Sequence, residues 1–379
     1  MAFRKRNVVP TRGGTSSPGP NTPTSPGIRP SPLTSHPVTS TGTPSLDDLL
    51  GGHSGLPLGH SILIEESGTT DYAGALLRSY AAEGLCQGHV VHVVGLGEGW
   101  VRELPGVAEG RKAKGQDGDA AQRMRIAWRY ERLGVVGERA LPNRSTSTPG
   151  NTMESQQQIP FSHTFDLTKR VTIPPNASIN HIPLIPTAAK PFDTILQSLT
   201  HHLKTSPPGT VHRLIIPLLL SPALWPPHVS QPEHILRFLH ALRALHTQYP
   251  TTLTAMLTLP LSLLPRTSGL CRWAEILSDG VVELTPFPHS MDAAATLAES
   301  GGTRSGEEQP QGMVRVRKLP VGTERGEGGA GVGNSLGEDL AFVVSRRRFG
   351  IRPFSLPPVE GDTEAQGEAA GLKGRDVEF

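Results

Sequence analysis

The residues of this chain best placed for chemistry lie between Glu65 and Tyr72. An apolar run, Ser61-Ile62-Leu63-Ile64, leads into Glu65-Glu66-Ser67-Gly68-Thr69-Thr70-Asp71-Tyr72, and a helical pattern follows. Strand, loop, helix is the layout of a phosphate-binding loop. There GxxxxGK[ST] turns backbone N–H groups toward phosphates, the lysine neutralises them and the hydroxyl holds magnesium. Aligned by position, Glu65 and Thr70 stand for the two glycines, Asp71 for the lysine and Tyr72 for the hydroxyl residue. The charge reversal matters most. A unit-charge pair at 4 Å is worth about 4 kcal/mol at an effective dielectric of 20, as attraction for lysine and repulsion for aspartate. Ser67, Gly68, Thr69, Thr70, Asp71 and Tyr72 therefore read as a degenerate phosphate loop. A helix N-terminus favours an anion, so the Asp71 carboxylate is expected to take the place of phosphate.

The second requirement, an acid ending a buried strand to hold magnesium, also fails. In Arg213-Leu214-Ile215-Ile216-Pro217-Leu218 proline holds that position, and no Asp or Glu occurs from Thr194 through Pro232. Two independent defects argue against self-contained ATP hydrolysis, so no catalytic residue and no cofactor is assigned. Gly95-Leu96-Gly97-Glu98-Gly99 has the spacing GxGxG rather than GxGxxG, and reads as a flexible loop. The fifteen histidines include His201-His202, His89/His92 and His234, His240 and His246, the last three read as a solvated helix face. There is no HExxH and no cysteine at metal spacing, so no metal site is assigned. Arg346-Arg347-Arg348 precedes Phe349, a combination that suits RNA phosphate and base; its plainer reading is an edge-protecting charge run. Arg129 and Arg132, around Trp128 and Tyr130, are candidate contacts to a neighbouring subunit, with ordinary surface charge as the plainer reading.

These residues need elements to position them. Strands are expected at Ser61 to Ile64, His89 to Val94, Met124 to Tyr130, Val211 to Leu220, Leu253 to Leu259, Val281 to Leu284, Met313 to Leu319 and Leu340 to Val344. Between them, helices are expected after Thr43-Pro44 and over Thr70 to Glu83, Phe192 to Leu203, Ser230 to His246 and Gly269 to Leu277. Thr43 serves as N-cap of the first, and Ser230 with Glu233 forms a capping box on the fourth. The alternation predicts an α/β fold, a mostly parallel β-sheet flanked by helices, which binds ligands at the carboxyl ends of its strands.

The chain has 379 residues, of which 36% are hydrophobic and 5% aromatic, with 42 glycines and 36 prolines. That mixture describes a core diluted by flexible segments. Residues 1–38 are expected to be a disordered tail, 39–357 a single domain, and 358–379 a second tail. Flexible insertions are expected near 106–121, 138–160, 293–312 and 322–337. A net charge of +2 offers no global pull toward nucleic acid or membrane. Two cysteines, Cys86 and Cys271, make no disulfide framework, and no stretch is apolar enough for a signal peptide or a membrane span. A cytoplasmic protein is expected, with the nucleus as a second location.

Several ordered segments together carry a resemblance. Ser40-Thr41-Gly42-Thr43-Pro44-Ser45-Leu46-Asp47 opens the core as in RecA-like ATPases. Gly55-Leu56-Pro57-Leu58-Gly59, the loop at 63–73, Ile126-Ala127-Trp128-Arg129-Tyr130, Phe161-Ser162-His163-Thr164-Phe165-Asp166-Leu167 and Asp279-Gly280-Val281-Val282-Glu283-Leu284 follow. The set resembles the PAXNEB family, the fourth subunit of the Elongator complex. The resemblance implies a RecA-like fold and a six-membered ring, two of each, with the fifth and sixth Elongator subunits. That ring would bind tRNA and assist wobble-uridine modification by the catalytic Elongator subcomplex. Ring-level ATP hydrolysis is attached to the family, and would place ATP at subunit interfaces without the usual lysine. The reading is thus a non-catalytic, tRNA-handling subunit. Its rivals are an ATPase with a non-standard site, and a scaffold without an RNA role.

Overall fold

A computed structural model describes residues 25–108, 160–175, 177–185, 190–288, 310–320 and 339–354. The first three strands, β1 (Ile28–Pro30), β2 (Pro37–Thr39) and β3 (Leu56–Pro57), form a small antiparallel sheet. Residues 28–39 are thus structured, a correction to the expected tail through residue 38. Helix α1 (Pro44–Leu49) lies between β2 and β3, with proline at its first turn, where the missing N–H costs nothing.

The main sheet has nine strands. In chain order they are β4 (Ser61–Glu66), β5 (Val90–Val94), β8 (Ser178–Ile182), β9 (His212–Ile216), β10 (Leu253–Pro260), β11 (Gly280–Pro286), β12 (Gly312–Lys318), β13 (Leu340–Val344) and β14 (Phe349–Pro353). A separate pair, β6 (Pro105–Val107) and β7 (Phe165–Arg170), lies between β5 and β8 in the chain. The spatial order is β14-β13-β12-β11-β4-β10-β9-β5-β8. From β11 to β8 every pairing is parallel, and β12 to β14 add an antiparallel end. The expected mostly parallel sheet is therefore observed.

Four longer helices cover it: α2 (Tyr72–Cys86), α3 (Pro191–Thr205), α4 (Pro232–Gln248) and α5 (Gly269–Leu277). Ile62 and Ile64 of β4 join α2 in one core, whereas Leu63 joins α3, α4 and α5 in the other. Burial on both faces is why the central strands read as unbroken apolar runs rather than alternating ones. Pro217 ends β9 as its missing donor requires, so the strand is shorter than the sequence suggested. The capping box on α4 is not formed. Gln231 is its N-cap and Pro232 its first residue, while Ser230 belongs to a 3-10 turn. Thr43 does cap α1 by position, but its side chain makes no capping hydrogen bond. The expected strand from Met124 to Tyr130 lies outside the described residues.

A buried arginine joins the small sheet to the large one. Arg213 of β9 donates to the Ser40 and Tyr80 carbonyls at 2.9 and 3.1 Å, to Thr39 Oγ1 at 2.7 Å and to His89 Nδ1 at 3.0 Å. Removing one partner from a buried charge of this kind typically costs about 3–5 kcal/mol. Nearby, Gly42 has φ +78°, and a Cβ there would sit 2.4 Å from the Ser79 carbonyl, so the glycine is required. These contacts give a structural reason for much of the motif at 40–47. Asp47 belongs to the same cluster: it accepts from Ser40 Oγ and Thr41 N, and burial pushes its carboxyl up to about 7.

Candidate functional site

Neighbouring residues on a strand face opposite sides of the sheet, and β4 ends in two glutamates. Glu66, on the α2 side, closes the loop. Its carboxylate accepts from Thr70 Oγ1 at 2.6 Å, Tyr72 N at 3.1 Å and Ala73 N at 2.8 Å. Tyr72 and Ala73 open α2, so their N–H groups are among those that would otherwise face a phosphate. Burial raises the Glu66 carboxyl above its ordinary range, and the three hydrogen bonds pull the other way. The anion position at this helix start is filled by the protein itself.

Asp71 does not play that part. It is the N-cap residue by position, but it makes no side-chain cap bond; its carboxylate pairs with Arg78 at 2.9 Å and remains largely exposed. The expectation that Asp71 replaces phosphate is corrected: Glu66 does. Gly68 takes φ +94°, Thr70 bonds Glu66, and the Tyr72 ring lies 4.8 Å from that of Phe342. Nor does β9 supply a magnesium ligand, since Pro217 follows directly on Ile216.

Glu65, on the opposite face, is fully buried and built into a second cluster. Arg266, from the segment after β10, pairs closely with Glu65, with Glu275 of α5 at 3.2 Å and with Glu283 of β11 at 3.4 Å. Arg317 of β12 holds Glu283 at 2.8 Å. Glu65, Cys271 and Glu275 lie close enough together to hold a metal ion. Their chemistry fits one poorly. The Arg266 guanidinium already supplies the cation that Glu65 and Glu275 face, and burial pushes the Cys271 thiol up to about 12. Burial also pushes Glu65 up to about 7 against the pull of Arg266. This network is best read as a lock between β4, β11, β12 and α5.

The arginine run Arg346, Arg347 and Arg348 forms the exposed turn between β13 and β14, and Ser345 Oγ accepts from the backbone of Arg347 and Arg348 at 3.3 and 3.1 Å. Leu167 N of β7 donates to the Arg347 carbonyl at 2.7 Å. That bond sets β7, with Lys169 and Arg170, beside the turn. A hollow of about 540 Å³ next to it is lined by Thr70, Asp71, Arg78, Arg170 and Val344. The structure thus brings the closed loop and the arginine turn to one side of the molecule. Arg129 and Arg132 lie outside the described residues.

Sequence reasoning missed Glu66, Arg266, Glu275 and Arg317. Glu66 had one available signal: two adjacent acids at the end of an apolar strand leave it toward opposite faces, so one of them is on the side of the following helix. The histidines were also partly misread. His246 is buried and bonded to the Leu242 carbonyl, not solvated. His92 and His212 are buried neighbours 2.9 Å apart on adjacent strands.

A parallel sheet, a strand–loop–helix at its carboxyl end and a loop filled by its own glutamate define a protein built on the phosphate-loop plan with the phosphate position closed. The PAXNEB protein family model matches residues 21–377. The chain belongs to that family. It is 33% identical to Elongator complex protein 4 of Schizosaccharomyces pombe, over 96% of this chain and 94% of that one. The protein of the same name from Saccharomyces cerevisiae is 29% identical, over 90% and 78%, and the Homo sapiens one 26%, over 98% and 88%. Among solved structures, a KaiC-like protein from Pyrococcus horikoshii superposes on 83% of this chain and 99% of its own, at a TM-score of 0.39 and 15% identity. No described helix is long and apolar enough to cross a membrane.

Proposed function

We propose that this chain is a non-catalytic subunit of the Elongator complex, joining the fifth and sixth subunits in a two-of-each ring that binds tRNA. The ring supports wobble-uridine modification carried out by the catalytic subcomplex, in the cytoplasm with the nucleus as a second location. The full-length similarity to proteins named Elongator complex protein 4 supports the assembly. The observation that carries the non-catalytic role is Glu66: three hydrogen bonds from the loop and the α2 start end on its carboxylate. Asp71, in place of lysine, is paired with Arg78, so this position offers a phosphate no cation. The exposed turn of Arg346, Arg347 and Arg348 supports contact with RNA backbone.

Native mass spectrometry of the tagged chain, purified gently from its own cells, tests the assembly. The expected species holds two copies of this chain with two each of two other proteins. A stable monomer or a ring of this chain alone would refute it.

A further inference from the structure

The core face of α5 is complete without Trp273 and Ile276. Cys271, Ala274 and Leu277 are buried in the core shared with α3 and α4, whereas Trp273 and Ile276 stand outside it, 47% and 45% exposed. Residues three and four apart on a helix are neighbours, so Arg272, Trp273 and Ile276 share one outer face. Single apolar residues on a surface are ordinary, but a tryptophan and an isoleucine one turn apart form a patch. The helix beneath them is fixed at three points. Ser268 Oγ accepts from Cys271 N at 3.3 Å at the amino end. Glu275 pairs with Arg266 at 3.2 Å on one flank. At the carboxyl end the Lys318 ammonium donates to the carbonyls of Ile276, at 3.0 Å, and of Ser278. A face held in this way loses little freedom on binding.

The rim of the patch is basic. Arg272 is exposed beside Trp273, and Arg243 is exposed on α4, which packs along α5. Burial lowers the Lys318 ammonium, Asp279 raises it and Arg243 lowers it, so these three charges meet at the carboxyl end of α5. The two acids near the patch are engaged within the fold. Glu275 holds Arg266, and Asp279 accepts from Ser61 N and Oγ at 2.8 and 3.0 Å.

We propose that this face of α5 docks an acidic amphipathic helix of another protein in the assembly. The inference rests on the reading of this chain as a subunit of a complex and names one of its contact surfaces. Trp273 and Ile276 supply two apolar anchors a turn apart, which a partner helix meets with its own residues at three- and four-residue spacing. Tryptophan is enriched among the few residues that dominate interface energy. Arg272, Arg243 and Lys318 at the rim complement carboxylates and fix their register. A base would stack on Trp273 but gain little from the aliphatic Ile276, whereas a helix with an apolar stripe uses both.

The test uses the full-length chain in its own cells, with photoreactive benzoylphenylalanine in place of Trp273. After irradiation the assembly is purified and the cross-linked peptides are identified by mass spectrometry. The expected adduct is a segment of a different protein in which acids outnumber bases and apolar residues recur every three or four positions. Adding Arg243→Glu should lower its yield roughly tenfold, since a like charge then faces the partner's acids. Trp273→Ser, made without the probe, should keep the melting temperature of the chain within about 2 °C of wild type, as an exposed substitution does, and lower recovery of that partner. A second probe at exposed Arg272 covers the case in which the first chain fails to assemble. Adducts to RNA, to this same chain or to a segment without excess acid would overturn the proposal. If neither probe gives an adduct while native mass spectrometry still finds the chain with its partners, the surface is wrong and the assembly reading stands. If the chain is found alone, both fall.

Discussion

At the scale of single residues, two adjacent glutamates at the end of β4 divide the work. Glu65 locks one face of the sheet and Glu66 closes the helix start on the other. Glu66→Ala removes an acceptor from the Tyr72 and Ala73 N–H groups and leaves an open anion site. The change should cost about 1 kcal/mol of stability, as loss of a capping side chain does. It should also make the melting temperature rise with added inorganic phosphate, because a ligand that binds only the folded state stabilises it. Differential scanning fluorimetry would show this rise in the variant and not in the wild type; equal responses would refute the closure. The degenerate loop itself was legible from residue types, since a lysine replaced by aspartate needs no structure to interpret. Which carboxylate fills the gap was not legible, because it depends on the direction in which Glu66 leaves the strand.

At the scale of elements, helices and strands were legible where burial imposes a period or an unbroken apolar run, as in β13 and α5. The short strands β1, β2, β6, β7 and β14 were not, because a few residues with proline or charge give no period. The start of α4 shows competition between two signals. Pro232 suits the first helical position and fixes the boundary there, which leaves Ser230 outside. Contacts between strands were equally hidden. His92 and His212 meet across β5 and β9, Asn180 Nδ2 approaches His92 Nδ1 at 3.0 Å, and the His202 ring lies 5.3 Å from that of His92. Burial lowers His92 to about 3 and His212 to about 4. A depressed folded-state value means the unfolded chain binds protons first. The stabilisation is complete above about pH 6.5 and is lost as pH falls through 4. The stability advantage of wild type over His212→Gln should therefore narrow over that window in urea titrations. A constant difference would show that His212 is not held neutral.

At the scale of the whole molecule, the fold keeps the architecture of a nucleotide-binding sheet while the ligand position is occupied from within. The loop and the arginine turn share one side, with β7 between them. That arrangement accords with the proposed role, a subunit that contributes surface rather than turnover. The general class was legible from the alternation of strands and helices, and the family from motifs spread along the chain. The neighbourhood of loop, β7 and arginine turn was not, since residues near 70, 170 and 347 meet only through the fold. The most direct test of the closed loop is equilibrium binding of radiolabelled ATP, with magnesium, to the purified full-length chain. The account predicts no saturable binding into the millimolar range. Saturable micromolar binding by the wild-type chain would contradict it and show that Glu66 yields its place to phosphate.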